Sequence, residues 1–220
     1  FPCQPHSKAG SRRIAKGLDD DRNLWPDTRE VIRLVGCEWV VLENVPGILS
    51  GNDGRQGYAC TVLGELAALG FSDIRWGVYS ASEAGAPHLR ERWWVLAHTD
   101  SDYSTQQTSG SMHSVSLPDY VEMNPTQESQ GTLNPDWVEQ YLMSLPDGWT
   151  RLMPLPDGAY REWFDAMQDR TWWDTERGSP NRVIEADKRK ERLKILGNGI
   201  VPASAALSIN EMRGKLCSVI

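Results

Sequence analysis

Residues 38–44 read EWVVLEN, and they form the clearest strand signal in the chain. A continuous apolar run with adjacent valines, closed by Glu43 and Asn44, is typical of a strand buried inside a sheet. Helices and strands alternate around it, and they are predicted as a helix at 26–35, a strand at 38–42, a helix at 57–69 and a strand at 74–79. Alternation at these lengths predicts an α/β fold in which helices cover a parallel sheet.

Two finer predictions concern how these elements pack. Residues 92–97, RWWVLA, form another predicted strand only 12 residues after the previous one. That connection is tight for a helical crossover, so this strand is predicted to run antiparallel to its neighbour. In the second predicted helix, the spacing of Cys60, Leu63 and Ala67 places them together on its apolar face.

Composition limits the classes of protein to which the chain can belong. The sequence has 220 residues and four cysteines, none of them in a CxxC pair. This pattern does not indicate a disulfide scaffold or a zinc site, and reduced thiols indicate a cytoplasmic location. No apolar run approaches the roughly 18 residues that a membrane span needs. We therefore expect neither a metal nor a membrane partner.

Charge is unevenly distributed along the chain. Residues 100–180 carry 4 basic and 14 acidic side chains, whereas residues 181–220 carry 8 basic and 4 acidic ones. An acidic chain is a poor candidate for broad nucleic-acid contact, so any such site has to be a local basic cleft. Polar residues fill most of 99–116, which predicts a linker. A basic helix at 185–196 and a final helix with Pro202 in its first turn are predicted beyond it.

Three sets of side chains are candidates for chemistry. Cys3 lies between two prolines and is either an inert thiol or a nucleophile on a rigid loop. Glu43 ends a predicted strand, where ligand sites of parallel sheets gather, and is either a proton donor or a surface charge. Arg90 and Arg92 alternate in HLRERWW, which predicts two guanidinium groups on one side of an extended segment. They bind a phosphate or carbonyl oxygen, or they lie on a solvated edge strand. The ten tryptophans are predicted to lie mostly in the core.

The order and spacing of four blocks are more specific than any single residue. The blocks are FPCQPHSKAGSRRIAKGLDDDR at 1–22, VVLENVPGIL at 40–49, YSASEAGAPHLRERWWVLA at 79–97 and LGNGIVP at 196–202. In this order they resemble the Pro-Cys, Glu-Asn-Val, paired-arginine and Gly-Asn blocks of the C5-cytosine DNA methyltransferase family, of phage or bacterial type. LNPDWVEQYLMSLPDGWT at 133–150 also resembles a segment of phage-type members.

The resemblance implies a role for each candidate catalytic residue. Cys3 is the nucleophile that adds to C6 of a cytosine flipped out of double-stranded DNA. Glu43 shares or donates a proton at N3 of the base. Arg90 and Arg92 bind the O2 side of the base, or hold Cys3 and the backbone beside it. The implied activity is methyl transfer to cytosine C5, within DNA methylation and restriction–modification.

The resemblance also implies a cofactor and DNA contacts. S-adenosylmethionine is the implied cofactor, and Pro2, Asn198 and Gly199 are its implied binding residues. The implied DNA contacts are Gln4, Ser7, Lys8, Arg12 and Arg13. A monomer in the cytoplasm of a bacterial or phage-infected cell is expected.

The implied fold is a partial Rossmann-like methyltransferase sheet with an antiparallel last strand, plus a small irregular target-recognition lobe. Residues 1–99 are predicted as the carboxyl-terminal part of the catalytic domain. Residues 100–184 are predicted as a linker and target-recognition region. Residues 185–220 are predicted as helices that return to the catalytic domain.

Two departures from the family pattern leave alternatives open. His88 stands where the family has glutamine, and the Phe-x-Gly-x-Gly loop that precedes the Pro-Cys block in the family does not occur among these residues. We expect an amino-terminally incomplete chain that by itself binds S-adenosylmethionine weakly and does not methylate DNA. A non-catalytic DNA-binding remnant is the first alternative. A carbohydrate-active protein is the second, although it gives the Pro-Cys-Gln loop no role.

Overall fold

The structure, a computed structural model, describes residues 1, 23–50, 57–99, 133–169, 171–174 and 188–217. These residues fall into two compact units. Those of the first unit lie within Phe1–Ser80, Glu91–Met112 and Ser208–Ile220, and those of the second lie within Ala81–Arg90 and His113–Leu207. Helices and strands together make the described chain mixed α/β. No helix in the described ranges is long and apolar enough to cross a membrane. The division at residues 99 and 184 stays a prediction.

The first unit contains a three-stranded sheet. Its strands are β1 (Trp39–Asn44), β2 (Asp73–Tyr79) and β3 (Arg92–His98), in the order β1-β3-β2. β3 runs antiparallel to both neighbours, which confirms the predicted antiparallel last strand. β1 and β2 run in the same direction, but β3 lies between them, so the expected parallel neighbours do not occur among the described strands. The short β2–β3 connection permits an antiparallel return, and the returning strand occupies the space beside β1.

The helices of the first unit follow their sequence signals at both ends. α1 (Trp25–Val35) has Pro26 in its first turn, where the missing N–H costs no hydrogen bond. It ends before Gly36, whose φ of 62° lies in the left-handed region that favours glycine. α2 (Tyr58–Ala68) matches the second predicted helix. Both helix predictions are confirmed to within two residues.

The predicted apolar face of α2 is wrong for Cys60 and Ala67, whereas Leu63 is partly buried against the core cluster. Ala59, Val62 and Leu66 are its buried aliphatic side chains, and they pack in one cluster with the inward face of the sheet. Cys60 and Ala67 are exposed, although their spacing is equally helical. Because α2 is apolar nearly all round, periodicity alone does not distinguish the face that the sheet covers.

The second unit consists of helices and turns. α3 (Pro135–Trp137) continues as one π turn (Val138–Leu142), and the Asn134 side chain caps it by accepting a hydrogen bond from the Asp136 N–H at 2.9 Å. The remaining helices are α4 (Ala159–Gln168), α5 (Arg189–Asn198) and α6 (Pro202–Cys217), of which the part from Ser208 belongs to the first unit. The final helix at Pro202 is confirmed, and the basic helix begins at Arg189 within the described residues.

Tryptophan indoles hold the π turn in place. The Nε1–H groups of Trp172 and Trp173 donate to the carbonyls of Gln140 and Tyr141 at 2.7 and 2.8 Å. These carbonyls lie at a helical end and lack regular partners, so the indoles supply the missing donors. Several further tryptophans are buried in both units, which agrees with the predicted core role. Trp39 and Trp149 are the exceptions, because about half of each is exposed.

A pair of substitutions in α2 tests which face is buried. Leu66→Ala should lower the free energy of unfolding by about 3 kcal/mol, because it leaves a cavity at a fully buried site. Cys60→Ala should change it by less than about 0.5 kcal/mol, because Cys60 is exposed on the same helix. Urea unfolding followed by circular dichroism measures both values. Equal losses in the two variants would contradict the observed orientation of α2.

Candidate active site

An ion pair joins Glu43, near the end of β1, to Arg92, the first residue of β3. Arg92 Nε lies 2.9 Å from Glu43 Oε1, and both side chains are only about a quarter exposed. Sheet register explains the contact: Glu43 lies directly opposite Trp94, so Arg92 is its diagonal neighbour on the same face. Arg92 Nη1 also donates to the Glu91 carbonyl at 2.8 Å. No hydrogen bond joins Glu43 Oε2 or Arg92 Nη2 to other described residues.

Asn44 anchors the first residue of the chain to the end of β1. Its side chain is buried, and Nδ2 donates to the Phe1 carbonyl at 3.1 Å. Its Oδ1 accepts from the Val45 N–H at 2.8 Å. The Phe1 ring packs against Trp25, with ring centroids 5.1 Å apart. Sequence reasoning named Glu43 as a site residue and missed Asn44, although its place at the end of an apolar run was a signal of burial.

The tryptophans beside the ion pair are buried with unsatisfied N–H groups. Trp93 and Trp94 are 0% and 2% exposed, and neither Nε1 has a partner among the described residues. Trp94 shares the face of Glu43 and Arg92, because it lies opposite Glu43 in the register. A buried ring next to the pair limits water access on that side. This lowers the local dielectric, so the charges interact more strongly than they would in bulk water.

Arg90 lies in the second unit and binds a different kind of group. Its Nη2 donates to the carbonyls of Gly197 and Gly199, at 2.9 and 2.6 Å. Its backbone φ is 35°, in the left-handed region that non-glycine residues rarely adopt. The expectation that Arg90 and Arg92 share one extended segment is therefore wrong. The turn at Arg90 interrupts the strand pattern, and β3 begins only at Arg92.

The Gly-Asn block forms the end of α5 and the turn that follows it. Asn198 is the last residue of α5, and its side chain is exposed. Gly199 is close to Met143, and a Cβ built on it would lie 3.3 Å from the Met143 Cε atom. A Cβ on Gly197 would meet nothing within 4 Å, so open space adjoins the turn. Of the predicted site residues, the structure thus brings together Glu43 with Arg92, and Arg90 with Gly199.

Comparison with known proteins identifies the family. The sequence model of the C-5 cytosine-specific DNA methylase family matches residues 1–152.

The chain belongs to this family.

The match confirms the resemblance inferred from the four blocks. Three type II methyltransferases are similar to this chain. M.NgoMIV of Neisseria gonorrhoeae is 32% identical over 96 residues, which are 44% of this chain and 29% of that protein. M.HgiDI of Herpetosiphon aurantiacus is 34% identical over 97 residues, 44% of this chain and 28% of that protein. M.MspI of Moraxella sp. is 25% identical over 150 residues, 67% of this chain and 34% of that protein. The chain spans about a third of the length of these relatives.

Seven predicted site residues lie outside the described residues. They are Pro2, Cys3, Gln4, Ser7, Lys8, Arg12 and Arg13. Their roles stay predictions. Within the described ranges, no group of three or more His, Cys, Asp or Glu side chains could hold a metal ion.

The segment at 133–150, which resembles phage-type members of the family, contains a buried charge network. Glu139 is fully buried, and its Oε2 accepts hydrogen bonds from the Thr150 N–H at 2.6 Å and from the Thr150 hydroxyl. Arg192, on α5, donates through Nε to Thr150 Oγ1 at 2.8 Å and through Nη2 to Asp136. Arg151 also pairs with Asp136, with Nη2 and Oδ2 2.8 Å apart. The network ties residues 136–151 to α5, the helix that leads to the Gly-Asn turn.

These contacts set the charge state of Asp136. Partial burial alone would raise its pKa, but hydrogen bonds and charge from Arg151 and Arg192 hold the pKa below its usual value of 3.8. The same pairing raises the pKa of Arg151. A carboxylate whose pKa is lower in the folded state stabilises the fold at neutral pH. That contribution is lost as the pH falls below 3.8 and through the folded value.

Removal of this charge should reveal the network in a pH titration. Asp136→Asn should lower the free energy of unfolding by about 2 kcal/mol at pH 7, because two arginines lose their acceptor. The difference from the wild type should stay constant above pH 5 and shrink below about pH 4. Asp157→Asn is the control, since Asp157 is exposed and no hydrogen bond joins it to other described residues. A difference that persists unchanged at pH 3 would rule out the ionised pair as the source of stability.

Proposed function

We propose that this chain supplies the catalytic groups of a DNA (cytosine-5-)-methyltransferase, which acts on a flipped cytosine through a covalent adduct with Cys3. The observation that carries the proposal is the Glu43–Arg92 pair, which places a carboxylate and a guanidinium in contact on one face of the sheet. Cytosine carries N3 and O2 on neighbouring ring atoms. The carboxyl group is proposed to face N3 and the guanidinium to face O2, because their polarity matches this edge of the base.

The anchor on Phe1 supports the role of Cys3. Asn44 binds the Phe1 carbonyl and directly follows Glu43. Cys3 is two residues from Phe1, and two residues span at most about 7 Å of extended chain. Asn44 therefore holds the backbone of Phe1, two residues before Cys3 in the sequence, at the end of the strand that carries Glu43.

Each proposed group has one task in the reaction. The Cys3 thiolate forms a bond to C6, which breaks the aromaticity of the ring and places electron density on C5 and N3. Glu43 shares a proton with N3 or donates one to it, and Arg92 stabilises negative charge on O2. After C5 is methylated, a base removes the C5 proton, the C6–S bond breaks, N3 returns its proton to Glu43 and the thiolate is restored. The target base has to leave the duplex, because its ring faces are inaccessible within the stack.

S-adenosylmethionine fits the residues of the Gly-Asn turn. When bound, it supplies a methyl group activated by a sulfonium. Asn198 has an exposed amide without a hydrogen bond to other described residues, and open space lies beside Gly197. We propose that Asn198 and Gly199 contribute to its pocket, together with Pro2. The described sheet is proposed to be part of a Rossmann-like sheet.

DNA contacts are assigned to the segment that follows Cys3. Gln4, Ser7, Lys8, Arg12 and Arg13 are the proposed contacts, and the basic ones among them suit phosphate oxygens. Double-stranded DNA is the proposed partner. This assignment rests on the family resemblance and on the side-chain chemistry.

Trapping tests the covalent step. With S-adenosylmethionine present, the gene product that contains this chain should form a stable adduct with duplex DNA that carries 5-fluorocytosine at the methylated position. After methyl transfer, fluorine does not leave C5 as a proton does, so the C6–S bond cannot be broken by elimination. Cys3→Ala should lose essentially all methyl transfer and all trapping while it still binds DNA. Glu43→Gln should slow methyl transfer about 10²- to 10⁴-fold, the usual contribution of a general acid. Glu38→Gln, an exposed carboxylate beside the start of β1, is the matched control.

Two results would contradict the proposal. The first is methyl transfer by Cys3→Ala at close to the wild-type rate. The second is a wild-type protein that binds DNA but neither methylates it nor forms the adduct, and this result would favour a non-catalytic DNA-binding protein. Bisulfite sequencing of DNA from a bacterial host that otherwise lacks cytosine methylation measures which cytosines are methylated and to what extent.

Target choice is proposed to lie in residues 100–184. Their acidic composition argues against broad phosphate contact, so we propose that they contribute selectivity more than affinity. Exchange of this region for the corresponding segment of M.MspI should change the methylated sequence and leave Cys3-dependent trapping intact. An unchanged site in an active chimera would contradict the assignment.

A further inference from the structure

Arg90 holds two backbone carbonyls that flank Asn198. A single nitrogen, Nη2, donates to Gly197 O at 2.9 Å and to Gly199 O at 2.6 Å. The arginine is more than 100 residues away from them along the chain. These carbonyls lie at the end of α5, where a helix has no intrahelical donors to offer. A cation at this position satisfies the carbonyls and interacts favourably with the helix dipole.

The backbone around Arg90 is held in a strained shape that directs this contact. Its φ of 35° costs energy in a non-glycine residue, and such a conformation persists only where its surroundings impose it. Two hydrogen bonds close the segment that precedes it: the Ala81 N–H donates to the Leu89 carbonyl at 2.7 Å, and a His88 ring nitrogen contacts the Leu142 carbonyl at 2.5 Å. The backbone from which the Arg90 guanidinium extends to the end of α5 is therefore held in place.

We infer that Arg90 is a positioning residue for the Gly-Asn turn, and through it for the S-adenosylmethionine pocket, while Arg92 serves the cytosine. This inference rests on the proposed function, which assigns Asn198 to that pocket. Loss of Arg90 frees the carbonyls on both sides of Asn198, so the turn samples more conformations and the cofactor site has to be ordered on binding. Loss of Arg90 therefore weakens the binding of S-adenosylmethionine, whereas the addition of Cys3 to the base does not depend on the turn.

The number of donor atoms predicts which substitution restores the contact. Both hydrogen bonds come from one nitrogen, so a lysine ammonium, which has three donors on one nitrogen, can replace the guanidinium. A planar fork that bound substrate through two nitrogens would not be replaced in this way. Arg90→Lys should therefore recover most of what Arg90→Ala loses.

Arg189→Ala is the matched control. Arg189 lies in the same unit and also donates to a backbone carbonyl, from Nε to Leu133 O at 3.0 Å, but it does not hold the Gly-Asn turn. Amide hydrogen exchange of the peptide that contains residues 197–203 tests the contact of Arg90 with the Gly-Asn turn. This measurement does not require the protein to be catalytically active. Arg90→Ala should raise exchange there roughly tenfold, the effect expected from the loss of charge-assisted hydrogen bonds. Arg90→Lys should stay within about threefold of the wild type, and Arg189→Ala should leave this peptide unchanged.

Kinetics then separate cofactor binding from base chemistry. Arg90→Ala should raise the KM for S-adenosylmethionine about tenfold, with a smaller change in kcat and with Lys again close to the wild type. Exchange of the cytosine C5 proton with solvent is measured without cofactor. In this reaction the thiolate adds to C6, C5 takes a solvent proton and loses its own, and the thiolate leaves. Its rate should be unaffected in Arg90→Ala and greatly reduced in Arg92→Ala.

The outcomes distinguish this inference from the proposed function. Unchanged hydrogen exchange at 197–203 in Arg90→Ala overturns the inference, whatever the activity. Two other results for Arg90→Ala overturn the link to the cofactor. One is faster amide exchange at 197–203 with an unchanged KM for S-adenosylmethionine. The other is a loss of C5 proton exchange as large as the loss of methyl transfer. The wild-type protein could form no adduct and methylate nothing while the variants still show the predicted hydrogen-exchange pattern. This result overturns the proposed function, but it upholds the contact of Arg90 with the Gly-Asn turn.

Discussion

The antiparallel pairing of β3 between β1 and β2 is the constraint on which the candidate catalytic pair depends. Its register places Trp94 opposite Glu43, and this puts Arg92 within hydrogen-bond distance of the carboxylate. A shift of one residue would turn every side chain of β3 to the other face of the sheet. The alternation that buries Trp93 and Val95 in the core therefore also fixes the position of the ion pair. Core packing and site geometry have the same physical origin.

The structure of the second unit depends on hydrogen bonds that side chains donate to backbone carbonyls. The π turn and the residues after it direct carbonyls away from regular helical partners, and the indoles of Trp163, Trp172 and Trp173 donate to three of them. His88 contacts a fourth. An unpaired buried carbonyl costs about as much as a lost hydrogen bond. The abundance of tryptophan in this unit is thus explained by its combination of a large apolar ring with one N–H donor.

The sequence predicted those features that local signals determine. Pro26 and Gly36 marked the ends of α1, and the short β2–β3 connection predicted the antiparallel strand. The buried face of α2 was mispredicted because Cys60 and Ala67 are as regularly spaced as Val62 and Leu66.

Contacts between distant residues had no local signal. Arg192 meets Asp136 across 56 residues, and nothing in the basic pattern of α5 distinguishes Arg192 from the solvated cations around it. Which cation of α5 pairs with Asp136 is decided by which of them is buried beside it, and burial depends on the assembled fold. Family resemblance supplied the proposed roles of Glu43 and Arg92, and the sheet register explains why the two side chains meet.

The paired-arginine block is divided between the two units. Arg90 is the last residue of its segment in the second unit, and Glu91 begins the next segment of the first. Spacing of i and i+2 predicts a common face only where the backbone is extended, and the positive φ at Arg90 removes that condition. One arginine thus binds carbonyls at a helix end and the other binds a carboxylate across a sheet. The short spacing of the block is therefore no evidence for a double guanidinium site, because each arginine already has a partner of its own.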